Sequence, residues 1–181
     1  QISNLGGGST MTDLAIAPSN SDVVYISRRN NTFLRSNNAT GANPTWINLT
    51  SNLPINNEPK DIEIDPTDPN HVFIAINNDI FESTNGGSSW TNISGTLPNI
   101  SLNTILIDHN SPVSAMYVGM DVAVYYKDDN LTDWVIYNSG LANVEITELE
   151  IYYGDCTGGE LYASTYGQGL WKSDLKDPGN L

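Results

Sequence analysis

The sequence predicts an all-β protein of β-propeller type, with four blades of four antiparallel strands, and three observations point there. Trp46, Trp90 and Trp134 follow one another at a constant interval of 44 residues. An equivalent apolar position recurs at Leu14, Ile62, Ile105 and Leu149, in steps of 48, 43 and 44. Around these markers apolar and polar residues alternate with period two, which sends successive side chains to opposite faces of a strand. A repeat of about 40–50 residues made only of strands is the signature of propeller blades. The propeller region is expected over residues 1–175, with repeats at about 11–54, 59–98, 102–142 and 145–175 and a polar tail over 176–181.

Each repeat reads the same way from its start. The first strand is Thr12–Ile16, then Lys60–Ile64, Asn103–Ile107 and Thr147–Ile151. A turn follows, rich in Pro and Asx, as in Pro18-Ser19-Asn20 and Asp65-Pro66-Thr67-Asp68-Pro69-Asn70. Pro fixes φ, and Asx side chains bond backbone amides two residues on. The second strand is the β-branched and aromatic run Val23–Ser27, Val72–Ala75, Ala115–Gly119 and Glu160–Ser164. The third is Thr32–Ser36, Asp79–Ser83, Ala123–Lys127 and Gly169–Ser173. The fourth holds the tryptophans, over Thr45–Leu49, Ser89–Ile93 and Asp133–Tyr137, and the last repeat has no counterpart. No window reads as a long capped amphipathic helix.

Composition narrows the partners. Seven basic residues stand against 21 acidic ones, a formal charge of −14. No basic stripe can be assembled to displace counterions from nucleic-acid phosphates, and no polybasic membrane-surface segment exists. No apolar run approaches the roughly 20 residues that span a bilayer, so direct membrane insertion is not expected. Cys156 is alone, so neither an internal disulfide nor a cysteine-based zinc site can form. The low-charge, Asn-, Ser-, Thr- and Gly-rich balance suits a secreted β protein.

The turn between the third and fourth strands of the second repeat reads Ser83-Thr84-Asn85-Gly86-Gly87-Ser88-Ser89-Trp90. It resembles the Asp-box (BNR) motif, with Asn85 in place of the usual Asp and Ser89 in place of Thr; Ser83, Asn85, Gly87, Ser89 and Trp90 are its structural residues. The first repeat, from Ser36 to Trp46, is similar to a copy lengthened by three residues, and the third, Lys127 to Trp134, keeps the spacing without the Ser and glycines. Together with "DLAIAPSNSDVVYIS" and "ELYASTYGQGLWKSDL", the motif makes the chain resemble sortilin- and xyloglucanase-type propellers and the secreted propellers of gliding, polysaccharide-degrading Bacteroidetes. The resemblance implies a folding role for the box, a secreted or cell-surface location and, in the Bacteroidetes setting, export by type IX secretion with a sorting domain beyond Leu181.

Chemistry is sparse. His71 and His109 occupy equivalent turns where surface residues are expected, and no G-x-S-x-G elbow exists, which argues against a Ser/His/Asp hydrolase. Asp65/Asp68 and Asp128/Asp129 read as turn chemistry rather than calcium sites, and Gly6-Gly7-Gly8 lacks the Lys-Ser/Thr and helix of a phosphate loop. No metal or cofactor is expected. A glycosidase needs only two carboxylates across a cleft; Asp121 and Asp79 are the candidates, the resemblance to xyloglucanase-like propellers being closest around Met120–Tyr126, without the family's glycine pair. A binding role draws on the loops between second and third strands: Arg28, Arg29 and Asn31, then Asn78 and Asp79, then Asp121, then Tyr166 and Gln168. Amide, carboxylate and aromatic groups of this kind suit contact with a glycan or a protein.

The reading is therefore a non-catalytic recognition and scaffolding module for a glycan or protein, with a glycoside hydrolase propeller and a structural subunit of a surface assembly as alternatives. Residues 2–6 through 13–16 align with 50–54 through 61–64 at an offset of 48, so the chain begins where a tryptophan strand would just have ended. Two explanations are open: the C-terminal part of a longer propeller, which is favoured and makes the remaining blades a partner, or four blades closing alone.

Overall fold

The computed structural model describes residues 9–138, 140, 141, 143–154 and 158–176. The offset match at residues 1–8, the triple glycine, Cys156 and positions 177–181 of the tail fall outside those residues. The described residues form four antiparallel sheets in two compact units, Gln1–Ile93 and Ser94–Leu181, with two sheets in each.

In the first unit, β1 (Met11–Ile16), β2 (Val24–Arg28), β3 (Thr32–Ser36) and β4 (Ile47–Asn48) pair in chain order. After a 3-10 turn at Thr50–Asn52, β5 (Asp61–Ile64), β6 (Val72–Ile76), β7 (Asp79–Ser83) and β8 (Thr91–Asn92) repeat the arrangement. The second unit contains β9 (Leu102–Ile107), β10 (Met116–Met120), β11 (Val124–Lys127) and β12 (Val135–Ile136), then the three-stranded sheet β13 (Ile146–Tyr152), β14 (Glu160–Thr165) and β15 (Gly169–Asp174). Among the described residues three sheets are four-stranded meanders and one has three strands, in line with the repeats.

Register follows the markers. Leu14 pairs with Ile26 and Ile62 with Ile74, so the two positions are equivalent in their sheets. Their surroundings differ. Ile62 and Ile64 are 4% and 1% exposed, because Tyr25, Phe33, Val23 and Ala17 of the first sheet share one core with them. Leu14 and Ile16 are 47% and 54% exposed. In the second unit, Tyr117, Tyr126 and Val124 of one sheet pack with Leu149, Leu161 and Ile146 of the next. A Cβ on Gly119 would lie 2.6 Å from Ile146 and 2.7 Å from Thr104, so the absent side chain lets β10 approach β13.

The fourth strands are shorter than expected. Only two residues of each join the ladder, and Trp46, Trp90 and Trp134 stand just ahead of it. In the first unit the reason is visible: Trp90 leaves its own sheet's edge to pack against Phe33 of the neighbouring sheet, ring centroids 6.0 Å apart.

Candidate functional site

Two sets of loops emerge at opposite ends of the sheets in the first unit. At one end lie the β2–β3 and β6–β7 hairpins and the linker running from Leu53 to Lys60. Hydrogen bonds tie them together. Asn31 Nδ2 donates to both the backbone and side-chain oxygens of Asn56, each at 3.3 Å, and Asn57 Nδ2 donates to Asn77 Oδ1 at 2.5 Å. Thr12 and Ser27 hydroxyls reach the Pro59 carbonyl at 3.1 and 2.9 Å and so anchor the linker. Asn31 and Asn77 hold positive φ angles of 59° and 57°, a left-handed geometry that Asn tolerates better than most residues. The result is a row of four amides in fixed orientations.

The residues expected to bind divide on this frame. Asn31 belongs to the amide row, and Arg29 is exposed beside it with its backbone N–H bonded to Thr10. Arg28 is a correction: it is the last residue of β2, buried, and does not present its charge in the loop. Asn78 is half-buried, and Asp79 accepts from Asn92 Nδ2 at 3.0 Å. In the second unit, Asp121 is exposed and accepts from Asn103 Nδ2 at 3.0 Å. Tyr166 is 75% exposed, and the neighbouring Gln168 is exposed with its carbonyl accepting from Trp171 Nε1. Asp79 and Asp121, the two catalytic candidates, belong to different units, and each carboxylate is held by an asparagine. Asn56 and Asn57 were not singled out in the sequence; the Asn-Asn step before Glu58 was the available signal, but its hairpin partners are 20 or more residues away.

The opposite end carries the tight turns. Ser83 Oγ donates to Asn85 Oδ1 at 3.0 Å and accepts the Gly87 N–H at 2.9 Å. Asn85 then clasps Ser89, accepting its N–H at 2.9 Å and donating to its hydroxyl at 2.8 Å. Gly86 and Gly87 sit at φ of 69° and 83°, where a side chain would be strained. The longer first turn closes on the same clasp: Asn38 Oδ1 accepts from the Thr45 N–H at 2.8 Å and from Ser36 Oγ at 3.3 Å. Arg35 ties the two sheets, reaching Asn70 Oδ1 at 2.7 Å and the Gly86 carbonyl at 3.3 Å while lying 5.3 Å over the Tyr25 ring. Removing the clasp in Asn85→Ala should cost about 1 kcal/mol of stability by denaturant titration, a loss typical of side-chain caps on backbone N–H groups; Asn85→Asp, which keeps the acceptor, should retain most of it.

His71 lies in the turn where a surface residue is expected, but its side chain is engaged on both sides. It is half-buried, with Nδ1 at 3.2 Å from Asp65 and Nε2 at 2.7 Å from Glu82. Burial pushes the Asp65 carboxyl up, but bonds from the Thr67 hydroxyl and N–H, from the Asp68 N–H, and the charge interaction with His71 outweigh it and hold Asp65 below the ordinary carboxylate value. The two carboxylates address opposite ring nitrogens, so the three groups do not converge on one point. Among the described residues no group of three or more His, Cys, Asp or Glu is placed to hold a metal ion, and no helix is long and apolar enough to cross a membrane.

This architecture is of β-propeller type. The chain is similar in structure to the GH74 xyloglucanase from Xanthomonas campestris (TM-score 0.64, 16% identity), covering 90% of this chain and 29% of that one. It is similar to the GH74 enzyme of Niastella koreensis (TM-score 0.57, 15% identity, 94% and 30% covered). It is also similar to YCF48 in a structure bound to a D1 peptide (TM-score 0.62, 20% identity, 95% and 52% covered). This chain thus spans about a third to a half of the length of these structures. No family model and no curated protein matches the sequence.

Proposed function

We propose that the protein is a non-catalytic recognition and scaffolding module, secreted or at the cell surface, that binds a glycan or polypeptide on the loop end of its blades. The observation carrying this reading is the amide row Asn31, Asn56, Asn57 and Asn77, already oriented before any ligand arrives. Amides both donate and accept, which suits sugar hydroxyls and peptide groups alike, and preset groups lose little entropy on binding. Arg29 at its border supplies a cation in an otherwise acidic chain. We further read the Ser83–Ser89 and Ser36–Thr45 turns as Asp-box turns whose task is folding, and the exposed Leu14–Ile16 face as one that further blades of a larger propeller cover.

Glycan and peptide arrays probed with the 181-residue chain test the binding role. Ligands retained by the intact chain should lose tenfold or more of their affinity, on the scale of one or two hydrogen bonds to the site, in Asn31→Gly, which keeps the positive φ, and in Asn57→Ser. Retention of no ligand on either array, or binding indifferent to both substitutions, would sink the reading. Hydrolysis of xyloglucan that disappears in Asp121→Asn would replace it with a glycoside hydrolase.

A further inference from the structure

The first strand of every sheet carries an oxygen-bearing side chain directly before its marker residue: Asp13, Asp61, Thr104 and Glu148. Within each unit the two such residues meet between sheets. In the second unit the joint is conventional, with Thr104 Oγ1 donating to Glu148 Oε1 at 3.2 Å. In the first unit both partners are acids. Asp13 Oδ2 and Asp61 Oδ1 accept the same Ile62 N–H, at 2.8 and 3.0 Å, so the two carboxyl groups converge on one backbone donor.

An ionised carboxylate offers acceptors only, so two of them bond to one another only when one carries a proton. Thr104 brings its own donor hydrogen; the aspartates must take theirs from solvent. We propose that Asp13 and Asp61 form a proton-dependent latch between β1 and β5, closed in mild acid and weakened when the shared proton leaves. Burial is the largest influence on Asp13 and raises its carboxyl above the ordinary value, against the N–H groups of Leu14 and Ile62 and the bond to Asp61. The surroundings supply charges of both signs. Arg28 ends β2, Glu63 lies on β5, and the linker contributes Glu58 and Lys60, while Thr12 and Ser27 add hydroxyls bonded to each other and to Pro59. A carboxyl raised in the folded state stabilises fully below its unfolded value, and that contribution is lost as pH rises through the folded one.

The test compares the full chain with Asp13→Asn, whose amide can still accept from Ile62 and donate to Asp61. At pH 7 the variant should melt about 2–4 °C above the wild type, the shift that about 1 kcal/mol gives a chain of this size, and the gap should close by about pH 4. Exchange of the Ile62 amide, corrected for intrinsic chemistry, should lose protection with rising pH in the wild type and not in the variant. Glu145→Gln controls for the loss of one negative charge. Melting curves that stay parallel across the range, or an Ile62 amide equally protected in both proteins, would overturn the latch. Should Asp13→Asn fail to fold, carboxyl carbon titration of the wild type decides by NMR: one aspartate of the pair titrating above the ordinary range supports it, both within that range reject it.

Discussion

Truncating Phe33 to alanine should lower stability by about 3–5 kcal/mol, the cost of deleting a buried aromatic ring and leaving a cavity that closes only in part. Phe33 is fully buried, stacked 5.8 Å from Tyr25 on its own sheet and 6.0 Å from Trp90 on the next. It is thus the aromatic centre of the core that the first two sheets share. Tyr25 is fixed in turn by its hydroxyl on the Pro69 carbonyl and by Arg35 over its ring; burial pushes that hydroxyl up to about 12. A urea titration monitored by tryptophan emission reads both the stability loss and the exposure of Trp90. Phe33→Leu, which preserves most of the volume, should cost no more than about 1.5 kcal/mol. Equal stability of Phe33→Ala and wild type would mean that the ring adds nothing to the joint that Arg35 and the shared aliphatic core already make.

Asp128→Ala should cost about 2–4 kcal/mol, since each polar group left unpaired in a buried setting forfeits roughly 1–3 kcal/mol. Asp128 is 6% exposed and serves three donors: the Tyr126 hydroxyl at 2.7 Å and the N–H groups of Asn130 and Leu131 at 2.9 and 3.1 Å. Burial, with the Asp128 bond second, drives the Tyr126 hydroxyl well above its usual range, so it remains a donor at any ordinary pH. A double-mutant cycle with Tyr126→Phe isolates the coupling. The double variant should lose less than the sum of the single losses, because removing the hydroxyl also removes the orphan. Strict additivity would show that the carboxylate works only for the turn.

Much of this fold is legible because period-two alternation depends on adjacent residues alone. The alternating Leu14/Ile16, Ile62/Ile64 and Leu149/Ile151 each mark a first strand, and the structure places each in one. The 44-residue tryptophan beat is equally local in its signal but not in its meaning. It suggested five-residue outer strands, whereas only the two residues after each tryptophan pair, and Trp90 packs instead on the neighbouring sheet. The site was legible only by half. Hairpin loops announce themselves through Asn and Gly, so Asn31 and Asn78 could be found; the linker asparagines could not, because only packing of two sheets brings Asn56 to Asn31 and Asn57 to Asn77. Arg28 was misplaced for a related reason: a charged residue beside Arg29 and Asn30 reads as loop, yet its backbone pairs with Met11 and extends β2 by one residue. Nothing local to Asp13 or Asp61 indicates that two acids would share one backbone donor.

The asparagine clasp of the β3–β4 turns separates loop length from strand alignment. Ser36 to Thr45 encloses three more residues than Ser83 to Ser89, yet in both an asparagine Oδ1 accepts from the serine hydroxyl that opens the turn and the N–H that closes it. Chain added inside the clasp is therefore invisible to the sheet beneath it. Such a turn is a natural insertion port, where peptide epitopes or whole domains could be spliced in and displayed from a blade that keeps its shape.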